Sequence, residues 1–243
     1  MALSQFGTFE AIVIPVLFFP STILCALSGI LITEAARATA ANNQAHLQRL
    51  TKAVIQKTLQ LSIFIAAGLL LYGNLIGTLL DGGALAGHLI RLLAPVVPFI
   101  YLEIVLEALL KGMGQQSFSS LNYLAEYMIR IAIVLVCIPK FGFYGIVLSY
   151  YASNVCGNCF RLWKTCKTAR IRFSFWSDVG FTLFAAALAF QVPLCGLRLL
   201  HGMQFAWICL LPAILIDYAL LKSYGKITAI PLLSKKQRAC SSA

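Results

Sequence analysis

The stretch LIRLLAPVVPFIYLEIVLEALL, residues 89–110, decides the class of this protein. It is almost entirely apolar, and it is long enough to cross the roughly 30 Å of hydrocarbon in a bilayer, for which about 20 apolar residues are needed. No alternation of apolar and polar residues competes with this interpretation, and only helices and closed barrels satisfy their backbone polar groups in lipid. The stretch therefore predicts a transmembrane helix.

Further apolar runs of similar length lie on both sides of it. They are Phe9–Ile32, Leu59–Leu80, Phe118–Ile138, Tyr144–Leu162, Val179–Leu200 and Phe205–Leu221. We therefore expect an all-α, polytopic membrane protein, with about seven transmembrane helices in a bundle at residues 1–227 and a basic tail at residues 228–243. The polar, weakly helical segment Thr33–Thr58 is expected to lie along the cytoplasmic face of the membrane.

The overall composition agrees with this class. Hydrophobic residues make up 60% of the chain and charged residues 11%, whereas about a quarter of the residues in a soluble domain are charged. The chain has too few polar side chains to cover the surface of a water-soluble fold of this size. We expect the lipid bilayer to be its surroundings.

The basic residues indicate the orientation in the membrane. The net charge of +11 suggests nucleic acid in a soluble protein, but here most Lys and Arg residues fall in alternate connections between the apolar runs. Arg161, which lies just before the end of the fifth apolar run, is counted with the basic residues of these connections. Because basic loops stay in the cytoplasm, these connections and the C-terminus are predicted to be cytoplasmic. The N-terminus then lies outside, and we expect a part of the protein upstream to be missing.

No set of residues suggests catalysis. His46, His88 and His201 fall in separate loops, and no nucleophile motif, glycine-rich phosphate loop or cluster of metal ligands is present. Cys156 and Cys159 form a C-x-x-C in an apolar run without a second pair, so they are expected to act as small apolar residues. We expect neither an enzyme nor a cofactor.

Ionisable residues inside the spans are the main functional signal, because such groups are costly in lipid and mark polar pathways. Glu103 and Glu107 lie four residues apart in the third span, as do Glu126 and Arg130 in the fourth. Measured from the turn between these spans, Glu103 and Glu126 lie roughly 12 and 15 Å deep, so we expect the charged groups to meet. Three acidic residues with only one basic residue favour a site that binds a proton or a cation. The structural alternative is a Glu126–Arg130 pair, with the other two acids facing water or each other.

The fifth span adds uncharged polar groups. Asn154 and Asn158 also lie four residues apart. Amide side chains in membrane helices often bond to neighbouring helices. We therefore expect both residues to bond across helices.

Several short motifs, in this order, resemble stage V sporulation protein B and related polysaccharide biosynthesis proteins. The resemblance covers roughly residues 3–154, and it departs from the family at Ile32-Thr33. The motifs are PVLFFPS (residues 15–21), ITEAAR (32–37), LAPVVPFIYL (93–102), LKGMGQQ (110–116), IRI (129–131) and IPKFGFYG (138–145).

This resemblance implies the multidrug, oligosaccharidyl-lipid and polysaccharide flippase superfamily, whose members have two helical bundles facing a central cavity. The chain would supply helices eight to fourteen, without the N-terminal bundle. It would move a lipid-linked saccharide, a polysaccharide or cell-wall peptidoglycan precursor, across the bacterial plasma membrane. Arg130, Glu126 and Asn154 would face the substrate cavity, and Glu103 and Glu107 would couple transport to an ion.

Two alternatives remain open from the sequence. The first is an ion-coupled exporter of drugs or small solutes from the same superfamily. The second is a membrane scaffold or seven-helix sensor that transports nothing. The last span has no central lysine for a retinal Schiff base, which disfavours a light sensor.

Overall fold

Five helical rods follow one another in the computed structural model, which describes residues 2–171. Rod α1 consists of α-helical segments Ala2–Thr8, Ile14–Phe18 and Thr22–Ala40, joined by a π-helical turn at Phe9–Val13 and a 3₁₀ turn at Phe19–Ser21. Rod α3 consists of Gly83–Leu93 and Val97–Gly112, joined by a 3₁₀ turn at Ala94–Val96. The remaining rods are continuous: α2 (Gln44–Leu79), α4 (Gln116–Phe141) and α5 (Tyr144–Ala169).

Proline explains where α1 and α3 depart from α-helical geometry. Pro20 and Pro95 lie within the two 3₁₀ turns, and Pro98 lies in the first turn of the helix that follows Pro95. Proline lacks a backbone N–H and is best accommodated in the first turn of a helix. Each rod therefore changes its local geometry at a proline without ending there.

The described residues form an all-α, membrane-embedded protein. Rods α1 to α4 are each long and apolar enough to cross a membrane. Rod α5 has the same 26-residue length as α4, but its asparagines and basic residues make it less apolar. The predicted spans Val179–Leu200 and Phe205–Leu221, and the tail at residues 228–243, lie outside the described residues.

The expectation that Thr33–Thr58 is only weakly helical is wrong. Rod α1 continues to Ala40 and α2 begins at Gln44, so a short turn separates two helices that extend well past their apolar parts. Asn42 has a left-handed backbone with φ of 50°, and the side chain of Asn43 accepts a hydrogen bond from the His46 N–H at 3.1 Å. The 36 residues of α2 span roughly 54 Å, which exceeds the thickness of the hydrocarbon core.

Rod α3 lies at the centre of the described helices. In its most apolar stretch 61% of the residues are buried, against 11% in α4, so α4 lies at the periphery. Glycine allows the neighbours of α3 to approach closely: a Cβ on Gly77 of α2 would lie 2.4 Å from the Gly87 nitrogen of α3, and one on Gly112 would lie 2.6 Å from the Ile32 oxygen of α1. Such close contacts drive helix association where lipid provides no hydrophobic force.

We predict that Gly77→Ala destabilises the bundle, because the added methyl group forces α2 away from α3. Overpacking of this kind costs about 1–3 kcal/mol, measurable by unfolding the purified protein in mixed micelles of increasing denaturing detergent. The matched control is Gly29→Ala in α1, where a Cβ meets nothing within 4 Å. Equal stability of the two variants would show that the α2–α3 crossing has room for a methyl group.

Candidate functional site

A buried arginine holds together three carboxylates from two other helices. The guanidinium of Arg161 on α5 has no exposed surface. Its Nη2 lies 2.9 Å from Oε2 of Glu126 and 3.2 Å from Oε1 of Glu103, and its Nε lies 3.9 Å from Oε2 of Glu107. Rods α3, α4 and α5 are thus tied together through one positive charge, in a network that we call the Arg161 cluster (Arg161, Glu103, Glu107 and Glu126).

The placement of Arg161 in a cytoplasmic loop is wrong. Rod α5 continues to Ala169, so Arg161 lies within the helix and points into the bundle. A signal for this position exists in the sequence, since polar or small residues recur every three or four positions along α5 and define one helical face. All of them are buried: Ser149, Ser153, Asn154, Gly157, Asn158, Arg161 and Thr165.

Two further basic groups balance the charge around the cluster. Lys111 Nζ lies 3.1 Å from Oε1 of Glu107, and Arg130 Nη2 lies 3.6 Å from Oε1 of Glu126. The expected ratio of three acids to one base is therefore wrong, because Arg161 and Lys111 join Arg130. Buried charges are tolerated only when they are paired. The charge count alone thus no longer requires a bound proton or cation.

The expectation that the charged groups of the third and fourth spans meet is confirmed. Glu103 and Glu126 both contact the same guanidinium, and Glu126 also pairs with Arg130 four residues along α4. Glu107 lies one turn nearer the end of α3, where its carboxylate accepts a hydrogen bond from the Ser119 hydroxyl. The structure therefore brings Glu103, Glu107, Glu126 and Arg130 into one network, connected through Arg161.

Gly157 makes room for this network on α5. A Cβ at Gly157 would lie 2.6 Å from Oε2 of Glu126 and 3.0 Å from Nη1 of Arg161. Asn122 of α4 donates a hydrogen bond to the Gly157 carbonyl at 3.3 Å, which fixes the same crossing from the other side. The missing side chain lets the Glu126 carboxylate lie directly against the backbone of α5.

Tyrosine rings position both arginines. The Cζ atom of Arg161 lies 4.3 Å from the centre of the Tyr123 ring, and that of Arg130 lies 4.5 Å from the Tyr150 ring. Arg130 Nε also donates a hydrogen bond to the Ser153 hydroxyl at 3.1 Å. A cation over an aromatic face gains about 0.5–2 kcal/mol, so each guanidinium is held in place by more than its acids.

A cleft of about 340 Å³ opens beside the cluster, between α1, α3, α4 and α5. Of the predicted site residues, Glu103, Glu126, Arg130 and Asn154 line it, whereas Glu107 does not. Arg161 is fully buried, but the Arg130 side chain is 24% exposed. Arg130 is therefore the arginine that a molecule in the cleft can reach. The aromatic rings of the cleft wall are those of Phe18, Tyr123, Tyr127 and Tyr150.

Within residues 2–171, the amide nitrogens of Asn154 and Asn158 do not form the expected cross-helix bonds. Asn154 Nδ2 donates to the Tyr150 carbonyl at 2.9 Å, and Asn158 Nδ2 donates to the Asn154 carbonyl at 2.8 Å. Both acceptors lie one turn earlier on α5 itself. Each amide nitrogen thus bonds back to its own helix, and Asn154 shapes the cleft wall from there.

The described residues offer no other site of reactive groups. Between residues 2 and 171, no three His, Cys, Asp or Glu side chains lie close enough to hold a metal ion. His46 instead pairs with Glu34 of α1 at 2.9 Å. Cys156 and Cys159 are exposed free thiols on α5.

Comparison with known proteins identifies no relative: no protein-family model, no curated protein and no solved structure matches this chain. The resemblance to stage V sporulation protein B therefore rests on the sequence motifs alone.

We predict that Arg161→Met strongly destabilises the protein, because it leaves the buried carboxylates of the cluster without their shared partner. Loss of one partner of a buried ion pair costs about 3–5 kcal/mol, measurable by the same detergent-induced unfolding. Lys167→Met, which removes an exposed cation from the same helix, is the control. If both variants unfold at the same detergent concentration, Arg161 does not hold the helices together.

Proposed function

We propose that this chain is one bundle of a two-bundle flippase that moves a lipid-linked saccharide across the bacterial plasma membrane. In this proposal the chain contributes about seven spans, and its C-terminus lies in the cytoplasm. The observation that carries the proposal is the polar cleft within an apolar, membrane-embedded bundle, with the Arg130 guanidinium accessible from it. A charged, partly exposed group among membrane helices is a functional-site hypothesis by default.

The chemistry of the cleft suits an anionic, hydrogen-bonding headgroup. Arginine is the side chain best suited to bind phosphate, because its planar N–H groups match two phosphate oxygens at once. Tyr127 and Tyr150 place aromatic rings beside Arg130, and tyrosine combines an apolar face with a polar tip. We propose that the diphosphate of the substrate binds Arg130 while its lipid tail stays in the bilayer.

The Arg161 cluster allows Arg130 to change partners. The distance from Arg130 to Glu126 is 3.6 Å, whereas Arg161 approaches the other oxygen of Glu126 to 2.9 Å. When a diphosphate draws Arg130 away, Glu126 keeps its closer partner and is not left as an unpaired buried charge. Rocking of this bundle against a second one then exposes the cleft to either side of the membrane in turn.

Ion coupling is assigned in this proposal to Glu103 first and to Glu107 second. The side chain of Glu103 is 18% exposed and lines the cleft, whereas that of Glu107 is 10% exposed and is held by Lys111 as well as Arg161. A proton or cation from the cleft therefore reaches Glu103 more easily. Neutralising Glu103 would leave Arg161 with one negative partner fewer, and Arg161 would then interact more strongly with Glu126.

We predict that Arg130→Ala lowers flipping of the lipid-linked saccharide at least tenfold, since a hydrogen bond to a charged group contributes about 1.5–3 kcal/mol. The substitution is introduced at the gene in the native cells, and flipping is followed as the fraction of lipid-linked saccharide accessible from outside. Lys140→Ala, which removes an exposed cation from the same helix, should leave flipping unchanged.

Different outcomes would select the alternatives. If cells with Arg130→Ala flip the saccharide normally but lose efflux of hydrophobic cations, the protein is a drug or solute exporter. If deletion of the gene changes neither process, a scaffold without transport replaces the flippase proposal.

We further predict that Glu103→Gln uncouples transport from its driving ion, because a neutral amide cannot exchange a proton and lacks the negative charge that attracts a cation. Flipping measured across imposed proton and sodium gradients should depend on one gradient in the native protein and on neither in the variant. Glu34→Gln, which changes an acid outside the cleft, should keep the dependence. A variant at Glu103 that still follows the gradient would contradict this role.

A further inference from the structure

A second opening lies on a different side of the bundle from the polar cleft. It is an apolar groove of about 320 Å³ between α1 and α2, and it shares no lining residue with the cleft. Rod α1 contributes apolar side chains between Ile23 and Leu31, α2 contributes residues between Ala53 and Leu61, and Val105 of α3 forms part of the wall. The eight-residue rise along α2 makes the groove roughly 12 Å long.

One charged side chain, Lys57, lies in the lining of this groove. Within residues 5–171, no carboxylate lies within ion-pair distance of its ammonium group. Glu34, the acid that α1 carries towards α2, pairs instead with His46, which lies eleven residues or roughly 16 Å before Lys57 on the helix. The cation therefore faces the groove without a counter-charge from the described part of the chain.

Lys57 also marks a boundary along α2. The helix is polar up to Lys57 and Thr58 and strongly apolar from Leu59 onward, so Lys57 lies where headgroups meet hydrocarbon. A purely apolar helix would cover the groove but would leave the ammonium group without a counter-charge, which is costly where water is excluded. A molecule with both an acyl chain and an anionic headgroup satisfies both features.

We propose that this groove binds an anionic phospholipid, with one acyl chain between α1 and α2 and the phosphate at the Lys57 ammonium. The lipid fills the space between the apolar side chains of α1 and α2, and its phosphate supplies the counter-charge that Lys57 lacks among the described residues. The groove and the cleft have no lining residue in common, so lipid binding can be measured without the saccharide transport proposed above.

The test is lipid binding to the full chain, purified in mild detergent and titrated with phosphatidylglycerol or phosphatidylcholine of identical acyl chains. Retained lipid is counted by native mass spectrometry. The native chain should retain phosphatidylglycerol preferentially, and Lys57→Gln should weaken its binding about fivefold, which is the contribution of one lysine near an anionic surface. Lys52→Gln, at an exposed lysine of the same helix that does not line the groove, is the matched control and should bind normally.

A second variant tests the apolar part of the site. Ala53→Phe places a bulky ring in the groove and should reduce binding of phosphatidylglycerol even though Lys57 is intact. The proposal is overturned if Lys57→Gln binds as the native chain does, if Lys52→Gln loses as much binding, if a folded Ala53→Phe keeps full binding, or if phosphatidylcholine binds equally well. Because Lys57 is exposed, its replacement leaves the packing intact and decides the question even where Ala53→Phe does not fold.

Discussion

The contact of one buried guanidinium with three carboxylates is the interaction on which the arrangement of α3, α4 and α5 depends. Away from water, an unpaired charge costs several kcal/mol, so separation of α5 from its two neighbours would remove the basic partner of Glu103 and the closer basic partner of Glu126. Gly157 makes the contact possible by leaving room for the Glu126 carboxylate. Because Arg161 already satisfies the acids, Arg130 keeps a partly exposed guanidinium at the cleft.

A different force positions α1 and α2 on the other side of α3. Lipid tails are as apolar as leucine, so burying leucine against leucine gains little in a bilayer, and close backbone contact has to provide the attraction. Gly77 and Gly87 provide it between α2 and α3, and Gly112 provides it between α3 and α1. Rod α3 thus has a charged side, which contacts α4 and α5, and a side with small residues, which contacts α1 and α2.

The cleft and the groove differ in how their charges are balanced. In the cleft, each acid has a basic partner, and a ligand can bind by exchange with an existing pair. In the groove, Lys57 has no partner among the described residues, and a ligand adds the charge that is missing. The same scaffold therefore carries a cleft for which we propose transport and a groove for which we propose a bound lipid.

Sequence alone determined the helical, membrane-embedded class, because apolar runs and helical periodicity are local properties of the chain. It also placed Glu103 and Glu126 at one depth, since a helix rises by a constant amount per residue. Only the tertiary structure decided that Arg161 belongs to the core, that Thr33–Thr58 extends two helices, and that Lys57 borders a groove. Which charged residues pair depends on which helices pack together. That packing is determined by close contacts between residues far apart in the chain, and local sequence patterns do not show these contacts.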